Sequence, residues 1–491
     1  MPEKIVRTRF APSPTGQMHI GNLRSALYEY LVAKSQNGKF ILRIEDTDQE
    51  RVIEGAVEVI YETLKTCGLK YDEGPDIGGP HAPYVQSERH LHYLPFAERL
   101  VDEGKAYYCF CAKDRPVQDD AGERAGDFHS YDRRCRDLSA AEIKARLDAG
   151  DSYVIRQKMP LTGSTSFQDE VFGEITVENE ELEDQILIKS DGFPTYNFAN
   201  VVDDHEMEIT HVVRGSEYLS STPKYNLLYQ AFGWEIPAYI HLPLILGEDG
   251  SKLSKRHGAT SFNDLVKLGY LPEAIVNYIA FLGWAPGGDT REIFSLAELE
   301  ETFSVAGISK SPAIFSYDKL DWFNEQYLRA LSPEEFALLI KPYTDEVFAD
   351  RPYDPDLLAQ ILQSRTTRLS DIPEMIAFFI EPDPLDAELF RQKRSKLTPE
   401  TAIELLADLI LLLENISDWT ADELKDALNS YAEDTERKIG QVMGALRPSL
   451  SGRSVTPGGA IEMLLILGKI ESLARLASAL EFLRQSVSQQ I

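Results

Sequence analysis

Cysteine is scarce: four residues, Cys67, Cys109, Cys111 and Cys135, cannot staple a chain of 491, so stability must come from hydrophobic cores. Positive charge is short as well. Fifty Lys plus Arg stand against 80 Asp plus Glu, leaving a formal charge of −30. That balance argues against a general coating of nucleic acid or of an anionic membrane, while leaving room for a local basic groove. Long apolar runs are missing. The greasiest stretches are Ala402–Ile416, which carries Glu404 and Asp408, and the short Ala460–Leu467; a membrane span needs about 18 apolar residues or more. The opening Met-Pro-Glu-Lys-Ile-Val-Arg lacks the apolar core of a secretory signal. We therefore expect a cytoplasmic chain with reduced thiols and no membrane partner.

Apolar residues make up 43% and charged residues 26%, a globular composition whose length suggests roughly three domains. Ile5–Phe10 reads as a short strand. Ala11-Pro-Ser-Pro-Thr-Gly16 cannot be helical, because Pro12 and Pro14 fix φ and remove donors. Asn22 is the expected N-cap of a helix carrying Leu23, Ala26, Leu27, Tyr30 and Leu31 on one face. After the Asn37-Gly38 turn, Phe40–Ile44 is an apolar strand ending in Glu45-Asp46-Thr47-Asp48. Strand, helix and strand make a βαβ unit and imply a parallel sheet, which binds ligands at the carboxyl ends of its strands.

Short alternating runs at Tyr153–Lys158 and Gln185–Lys189 suggest an α+β insertion, and parallel-sheet character returns at Thr210–Arg214 and Tyr239–Leu246. Beyond about residue 325, apolar spacings of three and four predict helices in Pro333–Ile340, Leu357–Leu369, Thr401–Leu413 and Ala421–Leu428.

Two segments carry chemistry. Arg9-Phe-Ala-Pro-Ser-Pro-Thr-Gly-Gln-Met-His-Ile-Gly21 sets a rigid turn, a His and two glycines between strand and helix, a junction where backbone can approach phosphate. Gly247-Glu-Asp-Gly-Ser-Lys-Leu-Ser-Lys-Arg-His-Gly258 places Lys252, Lys255 and Arg256 in a loop bracketed by glycines. Cations on such a loop suit a departing pyrophosphate.

Together, His19-Ile-Gly21 and Lys252-Leu-Ser-Lys-Arg256 resemble the two signatures of class I aminoacyl-tRNA synthetases. Phe10-Ala-Pro-Ser-Pro-Thr-Gly16 and Arg43-Ile-Glu-Asp-Thr-Asp48 are similar to the glutamyl branch. So are Tyr196-Asn-Phe-Ala-Asn200, His211-Val-Val-Arg-Gly215, Ser221-Thr-Pro223, Lys319-Leu-Asp-Trp-Phe-Asn324 and Thr456-Pro-Gly458, which spread the resemblance from end to end.

The resemblance implies an α/β Rossmann-like catalytic domain with an α+β insertion, followed by an all-α anticodon-binding domain. The expected parts are 1–106 and 200–260 (catalytic), 107–199 (acceptor-end insertion), 261–324 (connecting domain) and 325–491 (anticodon module). It implies a monomer that uses ATP with Mg²⁺ to attach L-glutamate to tRNA(Glu) through glutamyl-adenylate, with tRNA(Gln) as an open second acceptor. His19, Lys252 and Lys255 would be catalytic, with Thr15 and Gly21 joining His19 and Lys255 around ATP. Arg9, Ala11, Ser13, Glu45, Tyr196, Asn200 and Arg214 would form the glutamate pocket. Its charges match a ligand with two carboxylates and an ammonium, which Glu45 should meet. Arg9, with Tyr196 and Asn200, is the preferred partner of the side-chain carboxylate, but Arg214 stays open.

Cys109, Cys111 and Cys135, with Tyr131 at Tyr-x-x-x-Cys spacing, resemble a family zinc site; Asp137 stands where a family His might. Three buried free thiols are the alternative. In the helical part, Arg447, Thr456 and Pro457 align with anticodon-contacting positions, and Arg365 falls near another. Three rivals are glutaminyl-tRNA synthetase, whose anticodon module is β-barrel, a truncated paralogue lacking that module, and a non-catalytic tRNA-binding protein.

Overall fold

The computed structural model describes residues 4–111, 131–288 and 290–488, and the backbone alone for Lys255. Two compact units divide the chain: 1–265 with 275–317, and 266–274 with 318–491.

In the first unit, β1 (Arg7–Phe10) and β2 (Lys39–Leu42) flank α1 (Ile20–Lys34) and pair in parallel, Arg7 with Lys39 and Phe10 with Leu42. This is the expected βαβ unit. Gly38 is required at its turn, since a Cβ there would collide with the Val6 carbonyl. The helix starts earlier than the sequence suggests: His19, not Asn22, is the N-cap. The reason is tertiary. The Ile20 N–H donates to the Thr260 carbonyl at 2.9 Å, so a distant loop satisfies an N-terminal donor that a side-chain cap would otherwise serve.

Strands β3 (Ala106–Cys109) and β4 (Val154–Gln157) form an antiparallel pair; β5 (Ser164–Asp169) and β6 (Gly173–Glu178) form another. A third antiparallel strand, β7 (Ile186–Ile188), pairs with β4. Then β8 (His211–Gly215) and β9 (Ala238–Leu242) restore parallel pairing. The Thr210 N–H donates to Arg7 O at 3.0 Å, which ties β1 to the start of β8. Ala26 to Ala33 of α1 are buried without a break, so this helix is wrapped on all sides rather than amphipathic.

Helices Pro333–Phe348, Pro355–Gln363, Pro399–Glu414, Ala421–Asp434 and Ile439–Ser451 belong to the second unit. Leu405, Leu409, Leu428, Leu446 and Leu464 are among its fully buried residues, each stabilising the unit by about 1.5–3 kcal/mol. The last helical stretch, Ala460–Ser488, is broken at Gly468, whose φ of 73° no helix accommodates. Segment 266–274 joins this unit through Asn324, whose Oδ1 accepts from Leu271 N at 2.8 Å and whose Nδ2 donates to Thr367 O at 2.6 Å. Among the described residues after 317 there is no strand, only the isolated Gln392–Leu397 bridge.

Candidate active site

The carboxyl ends of β1 and β8 and the N-terminus of α1 converge on a cavity of about 570 Å³ in the first unit. Arg9, Ala11, Ser13, Thr15, His19, Gly21, Glu45, Tyr196, Arg214 and Lys252 all line it. The proline-rich turn and the Lys252 loop, more than 230 residues apart in sequence, thus share one wall. Asn200 is fully buried but does not line the cavity. The Lys255 side chain lies outside the described residues; its backbone sits in the single 3-10 turn Lys255–His257.

Arginines and acids alternate behind the lining. Asp204 Oδ1 accepts from Arg9 Nε at 2.9 Å and from Arg43 Nη1 at 2.8 Å. Burial would raise the Asp204 carboxyl, but the Arg9 and Arg43 guanidinia hold it below the usual carboxylate range. Arg43, wholly buried, also donates from Nη2 to Glu45 Oε1 at 2.8 Å. That leaves Glu45 Oε2 buried without a hydrogen-bond partner.

Arg214 differs from Arg9. It is 6% exposed, it packs over the rings of Tyr218 and Tyr225 at 4.8 and 5.0 Å, and its Nε and Nη1 have no partner. An unsatisfied buried donor costs about 1–3 kcal/mol, more when charged. A site that keeps two on one guanidinium, beside an orphaned carboxylate oxygen, is built for a ligand carrying both anion and cation. The sequence favours Arg9 for the side-chain carboxylate, but the orphaned donors sit on Arg214.

The Lys252 loop is braced. Gly250 and Gly258 adopt φ of 76° and 102°, and His257 bridges Ser254 N through Nδ1 at 3.0 Å and Asp249 Oδ1 through Nε2 at 3.2 Å. A Cβ on Gly247 would meet the His257 ring at 2.6 Å. Hydrogen bonds from Ser251 and then His257 hold the Asp249 carboxyl down at about 2.

Two residues at this site escaped sequence reasoning. Glu29 is a buried acid on a helix whose sequence suggests only an apolar face, and Asp204 is a buried acid on helix Tyr196–Glu206, which is not among the helices expected from the sequence. The available signal was a charge inside Ala26-Leu-Tyr-Glu-Tyr-Leu-Val-Ala33, a run too apolar to face water.

At β3, the Sγ atoms of Cys109, Cys111 and Cys135 lie within 4.8 Å of one another, with Cys111 and Cys135 at 3.6 Å. Tyr131 Oη is 3.1 Å from Cys109 Sγ. Tetrahedral zinc with thiolates at about 2.3 Å sets sulfurs about 3.8 Å apart, so the donor set fits. Asp137 is exposed and outside the cluster.

In the second unit, Arg365 is exposed just past helix Pro355–Gln363, near the Gly458 turn that packs on Ile361. Thr456 Oγ1 donates to Gly458 O at 2.7 Å, fixing the turn that holds Pro457. Arg447 is half-buried with its Nε unpartnered.

Residues 5–322 match the family described as tRNA synthetases class I (E and Q), catalytic domain, and residues 316–480 match an anticodon binding domain. The chain is 53% identical over 481 residues to the glutamate–tRNA ligase of Clostridium acetobutylicum, spanning 98% of this chain and 99% of that one. It is 52% identical to that of Clostridium novyi over 99% of this chain and 100% of the relative. Its fold superimposes on a crystal structure of a glutamate tRNA ligase from Elizabethkingia meningosepticum, in complex with its amino acid, with a TM-score of 0.87 and 36% identity over 98% of this chain and 100% of that one. The chain belongs to the glutamate–tRNA ligase family of class I aminoacyl-tRNA synthetases.

Proposed function

We propose that this chain attaches L-glutamate to tRNA(Glu) in two steps within the cavity at β1 and β8. A glutamate α-carboxylate oxygen attacks the α-phosphorus of ATP, and the bond to pyrophosphate breaks. A ribose hydroxyl of the terminal adenosine then attacks the carbonyl of glutamyl-adenylate, and AMP leaves.

The observation that carries this reading is the pairing of orphaned Arg214 donors with the orphaned Glu45 Oε2 in one cavity. Arg214 and Arg9 together meet the side-chain carboxylate and Glu45 meets the ammonium, which leaves the α-carboxylate free as nucleophile. Ser13, Ala11 and Tyr196 shape the wall. His19 and Lys252, with Lys255, stabilise charge on the phosphates as pyrophosphate departs, while Thr15 and Gly21 let ATP approach the start of α1. Mg²⁺ comes with ATP as its counter-ion. Arg365, Arg447, Thr456 and Pro457 contact anticodon bases, the chain acts as a monomer, and it works in the cytoplasm. Among the described residues no helix is long and apolar enough to cross a membrane.

The test is ATP-dependent charging of purified tRNA(Glu) and tRNA(Gln) with labelled glutamate and glutamine. Glutamate on tRNA(Glu), with pyrophosphate released, is the expected product; preference for glutamine would overturn the assignment. The helical second unit already stands against the β-barrel rival.

Cys109, Cys111 and Cys135, with Tyr131 as fourth ligand, would hold one zinc ion that cross-links the insertion. Purified protein should then carry about one equivalent by elemental analysis and keep it through brief chelation. Four freely titratable thiols with substoichiometric metal would remove the site.

A further inference from the structure

Glu29 sits on the buried stretch of α1, is 2% exposed, and lines the amino-acid cavity. Its Oε1 lies 3.4 Å from Arg9 Nη1, a weak contact, and its Oε2 has no hydrogen-bond partner at all. No step described above uses it. A carboxylate this deep, with one oxygen unsatisfied, is costly unless something later occupies that oxygen.

The groups facing it are Arg9 from β1, Arg214 from β8, Asp204 from helix Tyr196–Glu206, and Glu45 after β2, with Arg43 behind them. Around Glu29, three guanidinia (Arg9, Arg43, Arg214) thus match three carboxylates (Glu29, Glu45, Asp204), while the neighbouring Arg89 pairs with both Asp203, at 2.8 Å, and Glu206, and Arg24, Lys252 and Glu217 also line the cavity. Bound glutamate brings two carboxylates and one ammonium, a net charge of −1, into this balanced and largely dry cluster. Some acid must then give up its charge or the pocket must carry an excess anion. Asp204 is gripped by two guanidinia and Glu45 accepts twice from Arg43, at 2.8 and 3.2 Å. Glu29 has only the long contact to Arg9.

We propose that Glu29 takes up one proton from solvent as L-glutamate enters, and that the resulting Oε2–H donates to the substrate carboxylate held by Arg9 and Arg214. The step forms one O–H bond on Glu29 and breaks none in the substrate. It restores the charge balance, removes a competitor for Arg9, and turns the orphaned acceptor into a donor aimed at the ligand. Burial, opposed by Arg9 and Arg214, pushes the Glu29 carboxyl above the usual range, and a further anion beside it favours the protonated form.

This rests on the glutamate pocket assigned above, and the experiment separates the two. Calorimetric titration of the full chain with L-glutamate, at one pH in two buffers of different ionisation enthalpy, counts protons exchanged on binding. Uptake approaching one proton per glutamate is expected across the pH range in which unliganded Glu29 is ionised, with affinity falling by up to about tenfold per unit rise in pH, since binding and protonation are linked. Glu29→Gln keeps both a donor and an acceptor but cannot titrate; it should bind glutamate with no uptake and a flat pH profile, and unchanged ATP binding reports that it folds. An infrared difference spectrum of the wild type should gain a protonated-carboxyl band on glutamate binding. Glutamate binding without proton uptake, or equal uptake by Glu29→Gln, overturns the proposal. No glutamate binding by the wild type would overturn the pocket assignment, and this with it.

Discussion

Replacing Asp204 with alanine should destabilise the catalytic unit by about 3–5 kcal/mol, because it strands two buried guanidinia on one side of the pocket. Asp204 Oδ1 is the shared acceptor of Arg9 Nε and Arg43 Nη1, and Arg43 is completely inaccessible to solvent. Arg43 keeps Glu45 but has no water to replace the lost acceptor, and Arg9 keeps only the long contact to Glu29 within the protein. Denaturant unfolding should show a lower midpoint in the transition that reports the first unit. Asp204→Asn should lose less, since its amide oxygen still accepts. The pH dependence has a definite sign. Asp204 is held below its unfolded value, about 3.9, so its contribution is complete above that pH and is lost as pH falls through the native value. A midpoint within 1 kcal/mol of wild type for Asp204→Ala would show that the arginines find other acceptors.

Arg214→Met should separate stability from function. The guanidinium is buried with two donors unpartnered, so the free protein carries a desolvation cost that the apolar methionine, which ends where Arg Nε lies, does not. Loss of packing against Tyr218 and Tyr225 offsets part of the gain. The melting temperature should hold or rise. Glutamate-dependent adenylate formation should instead lose about 10²–10³ in kcat/KM, the effect of about 3–4 kcal/mol from one buried charged contact. The KM for ATP should change little, because the phosphate end of the cavity is lined by His19 and Lys252. A variant that melts early and still activates glutamate normally would reverse the assignment, making Arg214 structural and leaving Arg9 to carry specificity.

The two loops at the cavity were legible in the sequence, while the pocket residues came from the family resemblance. The proline-rich turn, the His-Ile-Gly step and the second lysine loop named one wall of the cavity, because prolines and glycines restrict backbone in ways a single sequence displays. Helical periodicity likewise located four helices after residue 325, overrunning Pro355–Gln363 and missing Ile439–Ser451 and Ala460–Ser488, while the helix Tyr317–Ala330 starts before that point. What escaped was set by partners distant in sequence. Asn22 lost the N-cap to His19 because Thr260, some 240 residues on, supplies an acceptor. Asn200 carries the family pattern, yet it is buried and does not line the cavity that Tyr196, one helical turn earlier, reaches. Glu29 and Asp204 read as ordinary residues until tertiary packing closed over them. Charge networks of this kind have no periodicity, so composition and spacing do not announce them.

The bonds from β1 also set a timetable for synthesis. Arg7 and Arg9 find their acceptors and neighbours at Asp204, Met207 and Thr210, roughly 200 positions downstream. At about 5–20 residues per second, a ribosome needs roughly 10–40 s to deliver them. Through that interval β1 can pair with β2 and Arg7 with Glu73, but the other edge of β1 stays unpaired and Arg9 lacks Asp204. That edge of β1 is therefore among the last parts of the unit to be satisfied, and the chain's surplus of acidic charge helps keep it from pairing with a neighbour.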